Sequence, residues 1–301
     1  MTDSTLRPGV WAVVATPFGD DLGLDLDSLR RLVGHYQSIG VAGLTVLGVF
    51  GEAAALSRAE RDLVLATVAD TVDLPLVVGM TSMATEPALE EAEATQRVLG
   101  DRLGALMVQV NSPQPDVVAA HLTRIVQHTD VPIVVQDYPV ASGVRIPIPA
   151  LRTVVESTQR VAAVKAESAP TPPAIAALAD LQVPVFGGLG GIGLLDELAC
   201  GSAGAMTGFS YPEALLACVQ AYVGSGYHAA RGVFAPYLPL VNFEQQAGIA
   251  LAVRKECLRV RGLITRGRVR PPAAALPPSL SDLLHRHLTY VETMIDNEGK
   301  H

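Results

Sequence analysis

Short apolar runs of four to eight residues alternate with stretches of helical periodicity along most of the chain, and this alternation limits the possible folds more than any single motif. GVWAVVATPF (9–18) reads as a strand. LDLDSLRRLVGHYQSIG (24–40) reads as a helix, with apolar residues at three- and four-residue spacing and Gly40 at its stop. GLTVLG (43–48) follows, then a helix opened by Ser57, where Glu60 three residues on completes a capping box. The beat continues through PLVVGM (75–80) with a helix over 84–100, ALMVQV (105–110) with 116–129, and PIVVQDY (132–138) with 147–158. VAAVKAES (161–168), VPVFGG (183–188) and AGAMTGF (203–209) precede helices predicted over 172–180, 191–201 and 212–224. Continuous apolar strands, each followed by a helix after a short loop, belong to a parallel sheet covered by helices. Eight such units predict an α/β fold, a closed (β/α)8 TIM barrel over residues 8–225, in preference to an open doubly wound sheet. Residues 226–301 read as a C-terminal helical appendage of two or three segments, divided by PPAAALPP (271–278) and available for oligomer contacts.

Length and composition agree with one large barrel. The 301 residues suffice for a sizeable core, nearly half are apolar, and 17% are charged. A net charge of −8 without any Lys/Arg-rich run argues against general nucleic-acid binding. Cys200, Cys218 and Cys257 form neither a C-x-x-C pair nor a zinc spacing and read as reduced structural thiols. The N-terminus MTDSTLRPG lacks the basic and apolar regions of a signal peptide, and no apolar run approaches the roughly 20 residues of a membrane span. The expectation is a soluble cytoplasmic protein with no membrane partner.

Catalytic groups of a TIM barrel sit at the C-terminal ends of strands and in the loops beyond them. VAAVKAES places Lys165 late in strand six with Glu167 two residues later, and the two-residue strand period turns both toward one face. A lysine inside a barrel must be paired or have its pKa lowered, and only a free amine attacks a ketone. Two roles follow from position alone: a Schiff-base nucleophile, or half of a structural ion pair filling the barrel end.

Two further blocks bear on that choice. Strand two ends in Gly48-Val-Phe-Gly-Glu52 followed by AAALSRAER, and strand five ends in Gln136-Asp-Tyr-Pro-Val-Ala-Ser-Gly143. Together with VKAES they resemble the superfamily of dihydrodipicolinate synthase and N-acetylneuraminate lyase, in order and spacing over residues 8–225. The resemblance implies a Schiff base between Lys165 and pyruvate or another 2-keto acid, no metal or organic cofactor, and a homotetramer. Departures from the family pattern are informative. Val49 and Phe50 stand where hydroxyls usually bind the substrate carboxylate, leaving only backbone N–H groups there. Gln136 occupies the place of the catalytic tyrosine, with Tyr138 two residues on. Val110 and Ala141 replace a relay tyrosine and an aldehyde-gripping arginine.

Q-D-x-P with K-x-E looks like the branch of 2-keto-3-deoxy sugar-acid dehydratases, notably L-2-keto-3-deoxyarabonate dehydratase. That similarity gives Glu167 the proton work. Its spacing allows it, since alternate strand residues lie about 6–7 Å apart at Cα, within reach of two long side chains. The expected catalytic set is Lys165, Glu167 and Gln136, and the expected substrate contacts are Val49, Phe50, Tyr138, Gly188, Met206 and Thr207. Lys165 would condense with the C2 ketone, and Glu167 would remove a C3 proton and return it to a departing C4 hydroxyl. A base acting on the C4 hydroxyl would instead drive retro-aldol cleavage to pyruvate, so a pyruvate-dependent aldolase or condensing enzyme stays open. A non-catalytic 2-keto-acid sensor is the reading from another class.

Other features carry less. Gly188-Leu-Gly-Gly-Ile-Gly193 matches G-x-G-x-x-G, yet the next strand closes on Ser210 with no acidic ribose ligand, so the glycines read as a tight turn at the barrel mouth. The seven histidines make no convincing metal set and read as solvated or capping residues. Glu52 reads as a structural carboxylate tying down a strained loop.

Overall fold

The structure is a computed structural model that describes residues 5–298, with side chains through residue 295. Eight parallel strands close into a barrel in sequence order: β1 Gly9–Val13, β2 Gly43–Val46, β3 Leu76–Gly79, β4 Leu103–Gln109, β5 Ile133–Asp137, β6 Val161–Ala166, β7 Val185–Gly187 and β8 Gly204–Thr207. Closure is made by β1 on β8, where Gly9 faces Gly204. Both have positive φ, and a Cβ on Gly204 would lie 2.0 Å from the Gly9 carbonyl oxygen, so only glycine lets the seam shut.

Eight helices on the outside follow the predicted beat: Leu26–Ser38, Arg58–Thr71, Thr85–Leu99, Pro115–Thr129, Ile148–Ser157, Thr171–Leu178, Leu194–Ala199 and Pro212–Ser225. The Ser57/Glu60 capping box is present, with both reciprocal bonds formed. Several predicted strands are shorter in the structure, and two departures have a clear cause. The first strand stops at Val13, although the apolar run continues to Phe18. The Val14 N–H still donates to the Thr45 carbonyl at 2.9 Å, Thr16 Oγ1 then donates to the Gly51 carbonyl at 2.6 Å, and Phe18 is covered by Lys255 and Arg270 of the C-terminal region. The predicted helix over 191–201 shortens to Leu194–Ala199, because Gly190 and Gly191 adopt positive φ just before it.

Among the described residues, the C-terminal region has four α-helices where two or three were expected: Tyr227–Phe234, Leu238–Phe243, Ala250–Val260 and Ser281–Glu298. Their apolar faces share one core with the last barrel helices, in which Leu240, Val253 and Leu284 join Leu198, Phe209 and Leu215. Helix Ala250–Val260 also reaches the barrel mouth. Fully buried Lys255 forms a close ion pair with Glu52, donates to the Arg268 carbonyl at 2.7 Å, and lies 4.2 Å from the centre of the Phe18 ring. Glu52 accepts from the Arg270 N–H at 2.8 Å and itself adopts a left-handed conformation, φ 54°. The strain of the loop after β2 therefore rests on Leu47 and Glu52, and the carboxylate anchors it to the C-terminal helices. Removing one partner of such a pair strands a buried charge. Lys255→Met is expected to cost about 3–5 kcal/mol in denaturant unfolding, and Lys255→Met combined with Glu52→Gln should recover much of the loss.

Candidate active site

Adjacent strands bring the expected catalytic residues together. Gln136 on β5 is in register with Lys165 on β6, and the ladder continues past β6 as the Glu167 N–H donates to the Asp137 carbonyl at 2.9 Å. Lys165, Glu167 and Gln136 are all buried. Lys165 Nζ lies 3.2 Å from Glu167 Oε2, and the same oxygen accepts from Gln136 Nε2 at 2.7 Å. The other oxygen, Oε1, accepts from the Leu189 N–H at 3.3 Å. The carboxylate is thus held by hydrogen bonds from Gln136 and the Leu189 N–H and by an ion pair with the amine it would serve.

The glycine turn after β7 makes room for that carboxylate. A Cβ on Gly188 would lie 2.2 Å from Glu167 Oε1, and the Gly190 N–H donates to Thr207 Oγ1 at 2.7 Å. Lys165, Glu167, Gln136, Tyr138, Phe50 and Thr207 line one cavity of about 180 Å³. A neighbouring cavity of about 270 Å³ over the β3 and β4 ends shares Val49 and Gln136 with it. Phe50 packs against Gly208, whose missing side chain leaves space for the ring. Val49 is 52% exposed at the rim. Met206, expected among the substrate contacts, lies instead in the hydrophobic core and does not line the cavity. It precedes Gly208 by two residues, so it sits about one strand layer below the mouth, where side chains fill the barrel.

The two buried lysine–glutamate pairs differ in their surroundings. Lys255 has Glu52 and a backbone carbonyl as acceptors, which is what a structural pair requires. Lys165 has Glu167 and otherwise borders the cavity, open to a ligand.

Burial gives the neighbourhood its electrostatic character. Asp137 is pushed up to about 6, chiefly by desolvation and secondarily by the charge of Glu167. Tyr138 is raised for the same two reasons. Glu197 is pushed up to about 7 by burial, although Thr171 Oγ1 donates to it at 2.5 Å. Its folded-state pKa exceeds the ordinary 4.5, so the native state holds the proton more tightly than the unfolded chain. Glu197 therefore adds no penalty below about pH 4.5, and an increasing one as pH rises toward 7. Glu197→Gln should change thermal stability little at pH 4 and raise it by on the order of a few kcal/mol at pH 8.

The sequence did not point to Asp137, Glu197 or Arg254. Arg254 comes from helix Ala250–Val260 and lines the same cavity as Lys165. The available signal was Arg254-Lys255 within the apolar run IALAVRKECL, two charges that a buried helix has to pair. Among the histidines, His121 departs from the solvated expectation: it is buried and bonded to Thr85 Oγ1 at 3.0 Å. His35 pairs with Glu213 at 2.9 Å. Among the described residues, no group of three or more His, Cys, Asp or Glu is placed to hold a metal ion, and no helix is long and apolar enough to cross a membrane.

Residues 7–290 match the dihydrodipicolinate synthetase family. An L-2-keto-3-deoxyarabonate dehydratase of Azospirillum brasilense is 31% identical over 289 residues, covering 90% of this chain and 90% of its own. A 4-hydroxy-tetrahydrodipicolinate synthase of Kineococcus radiotolerans is 28% identical, covering 91% of this chain and 90% of its own. The crystal structure of a dihydrodipicolinate synthase from Rhodopseudomonas palustris superimposes with a TM-score of 0.88 at 27% identity, over 96% of this chain and 99% of that one. The barrel, its order of strands and the family match agree, and the chain is a lyase of the dihydrodipicolinate synthetase family.

Proposed function

We propose that this lyase forms a Schiff base through Lys165 with a 2-keto acid and dehydrates a 2-keto-3-deoxy sugar acid. The observation that carries the reading is the Glu167 carboxylate, which touches the Lys165 amine and is oriented by Gln136 and the Leu189 N–H. Gln136 cannot titrate, so the proton transfers fall to Glu167, within proton-transfer reach of the nucleophile.

The amine of Lys165 adds to the C2 ketone and water leaves, giving a protonated imine that draws electrons from C3. Glu167 takes a C3 proton, giving an enamine. The C4–O bond then breaks as Glu167 returns the proton to the departing hydroxyl, which leaves as water. Hydrolysis of the conjugated imine frees the product and restores the amine. The substrate carboxylate next to the ketone is assigned to the loop after β2. There the Val49 and Phe50 N–H groups precede the first hydrogen bond of the turn, Gly51 N–H to Gly48 carbonyl, and have no partner within it. The adjoining cavity on the β3 and β4 side offers space for carbons beyond C3.

Incubation with L-2-keto-3-deoxyarabonate and its five- and six-carbon relatives, followed by NMR with a parallel pyruvate assay, tests the reaction. Loss of substrate without pyruvate release is expected. Pyruvate with an aldehyde would make the enzyme an aldolase, and tight binding without conversion would make it a sensor. We assign a homotetramer by family resemblance, to be measured by sedimentation.

A further inference from the structure

Arg254 is buried, lines the cavity that holds Lys165 and Glu167, and makes no hydrogen bond to any described residue. It forms an ion pair with buried Glu244, Nε to Oε2 at 3.7 Å, too long for a hydrogen bond. Glu244 is itself occupied: Ser210 donates to it through its N–H at 3.2 Å and through its hydroxyl. The guanidinium lies 5.5 Å from the centre of the Phe50 ring, which fixes its position but accepts no hydrogen bond. A Cβ on Gly190 would come within 2.7 Å of Nη2, so the glycine turn leaves the arm room to reach the mouth. The Gln245 amide reaches the same point and can turn its oxygen to the guanidinium or its nitrogen to a bound anion.

A buried guanidinium has five N–H donors and is costly to leave without acceptors. Among the described residues lining this cavity, Arg254 is the one cation besides Lys165. Val49, Phe50 and Ala141 bring no side-chain charge or hydroxyl to the mouth. Glu244 balances the charge of the guanidinium but accepts none of its N–H groups, and a carboxylate entering the cavity matches the planar fork of arginine with two parallel bonds.

We propose that Arg254 is a carboxylate-binding residue of this cavity, gripping either the carboxylate beside the ketone, shared with the Val49 and Phe50 N–H groups, or a second carboxylate at the far end of the carbon chain of a 2-keto-3-deoxy diacid. This rests on the 2-keto-acid reading of the cavity. The test uses lactate and 2-hydroxyglutarate, which have no ketone and form no imine, titrated calorimetrically into wild type, Arg254→Met and Arg254→Lys. Wild type should bind 2-hydroxyglutarate, Arg254→Met should weaken that binding at least 10-fold, and Arg254→Lys should recover part of it. Equal weakening for both acids puts the gripped carboxylate beside the former keto carbon. Weakening confined to 2-hydroxyglutarate puts it at the far end. An unchanged affinity in Arg254→Met, or no binding of either acid to wild type, overturns the proposal. Circular dichroism checks the fold. If Arg254→Met does not fold, Arg254→Lys carries the test, with at least severalfold weakening expected and unchanged affinity as the contrary result. Failure of the lyase reading is separate, because it would show as the absence of any imine at Lys165 while Arg254-dependent binding of hydroxy acids persisted.

Discussion

Glu167→Gln is expected to keep the imine at Lys165 and to lower turnover by about 10²–10⁴, the range for loss of a positioned acid/base group. The amide retains the shape of the carboxylate and an oxygen to accept from Gln136 or the Leu189 N–H, so the cavity should hold its form. What disappears is the capacity to take a proton from C3 and deliver it to the leaving hydroxyl. The measurement is a pair: borohydride trapping with pyruvate, which should stay near wild-type yield, and consumption of the sugar acid, which should collapse. Normal turnover in this variant would remove Glu167 from the proton chemistry and leave it as a counterion.

Lys165→Arg has the larger effect on chemistry. The guanidinium keeps a positive partner for Glu167, so the buried pair is preserved in charge, but it does not act as a nucleophile toward the ketone. Both adduct and turnover should fall to background, a loss on the order of 10⁶ or more on the usual scale of enzymatic rate enhancement. Circular dichroism should show the barrel intact. Residual turnover near wild type would mean that another group carries the chemistry.

The barrel was legible because its signal is periodic and repeated. Eight buried strands read as unbroken apolar runs, and each helix carried a spacing of three and four residues. Where the structure departs, burial came from something other than the ladder: Phe18, at the end of the first apolar run, is covered by Lys255 and Arg270 of the C-terminal region. At the site, Lys165 and Glu167 could be paired from sequence because strand alternation is local, and Gln136 because neighbouring barrel strands are consecutive. Gly188 was legible as part of a turn, but its job of leaving space for the Glu167 carboxylate depends on packing that no local pattern records. Met206 was misplaced for a related reason: strand position gives a face but not a layer. Arg254 lies far along the chain, in a region that looked like an appendage, and only tertiary packing carries it to the mouth. Asp137 and Glu197 titrate high because of burial, a property of the folded state alone.

The chain has three lysines, Lys165, Lys255 and Lys300, which makes the central claim unusually direct to test. The full-length protein is incubated with pyruvate, reduced with borohydride, digested and mapped by mass spectrometry. One reduced pyruvate on Lys165, with Lys255 unlabelled in its pair with Glu52, is the predicted result. No adduct with pyruvate or any other 2-keto acid, or an adduct confined to a lysine other than Lys165, would contradict it.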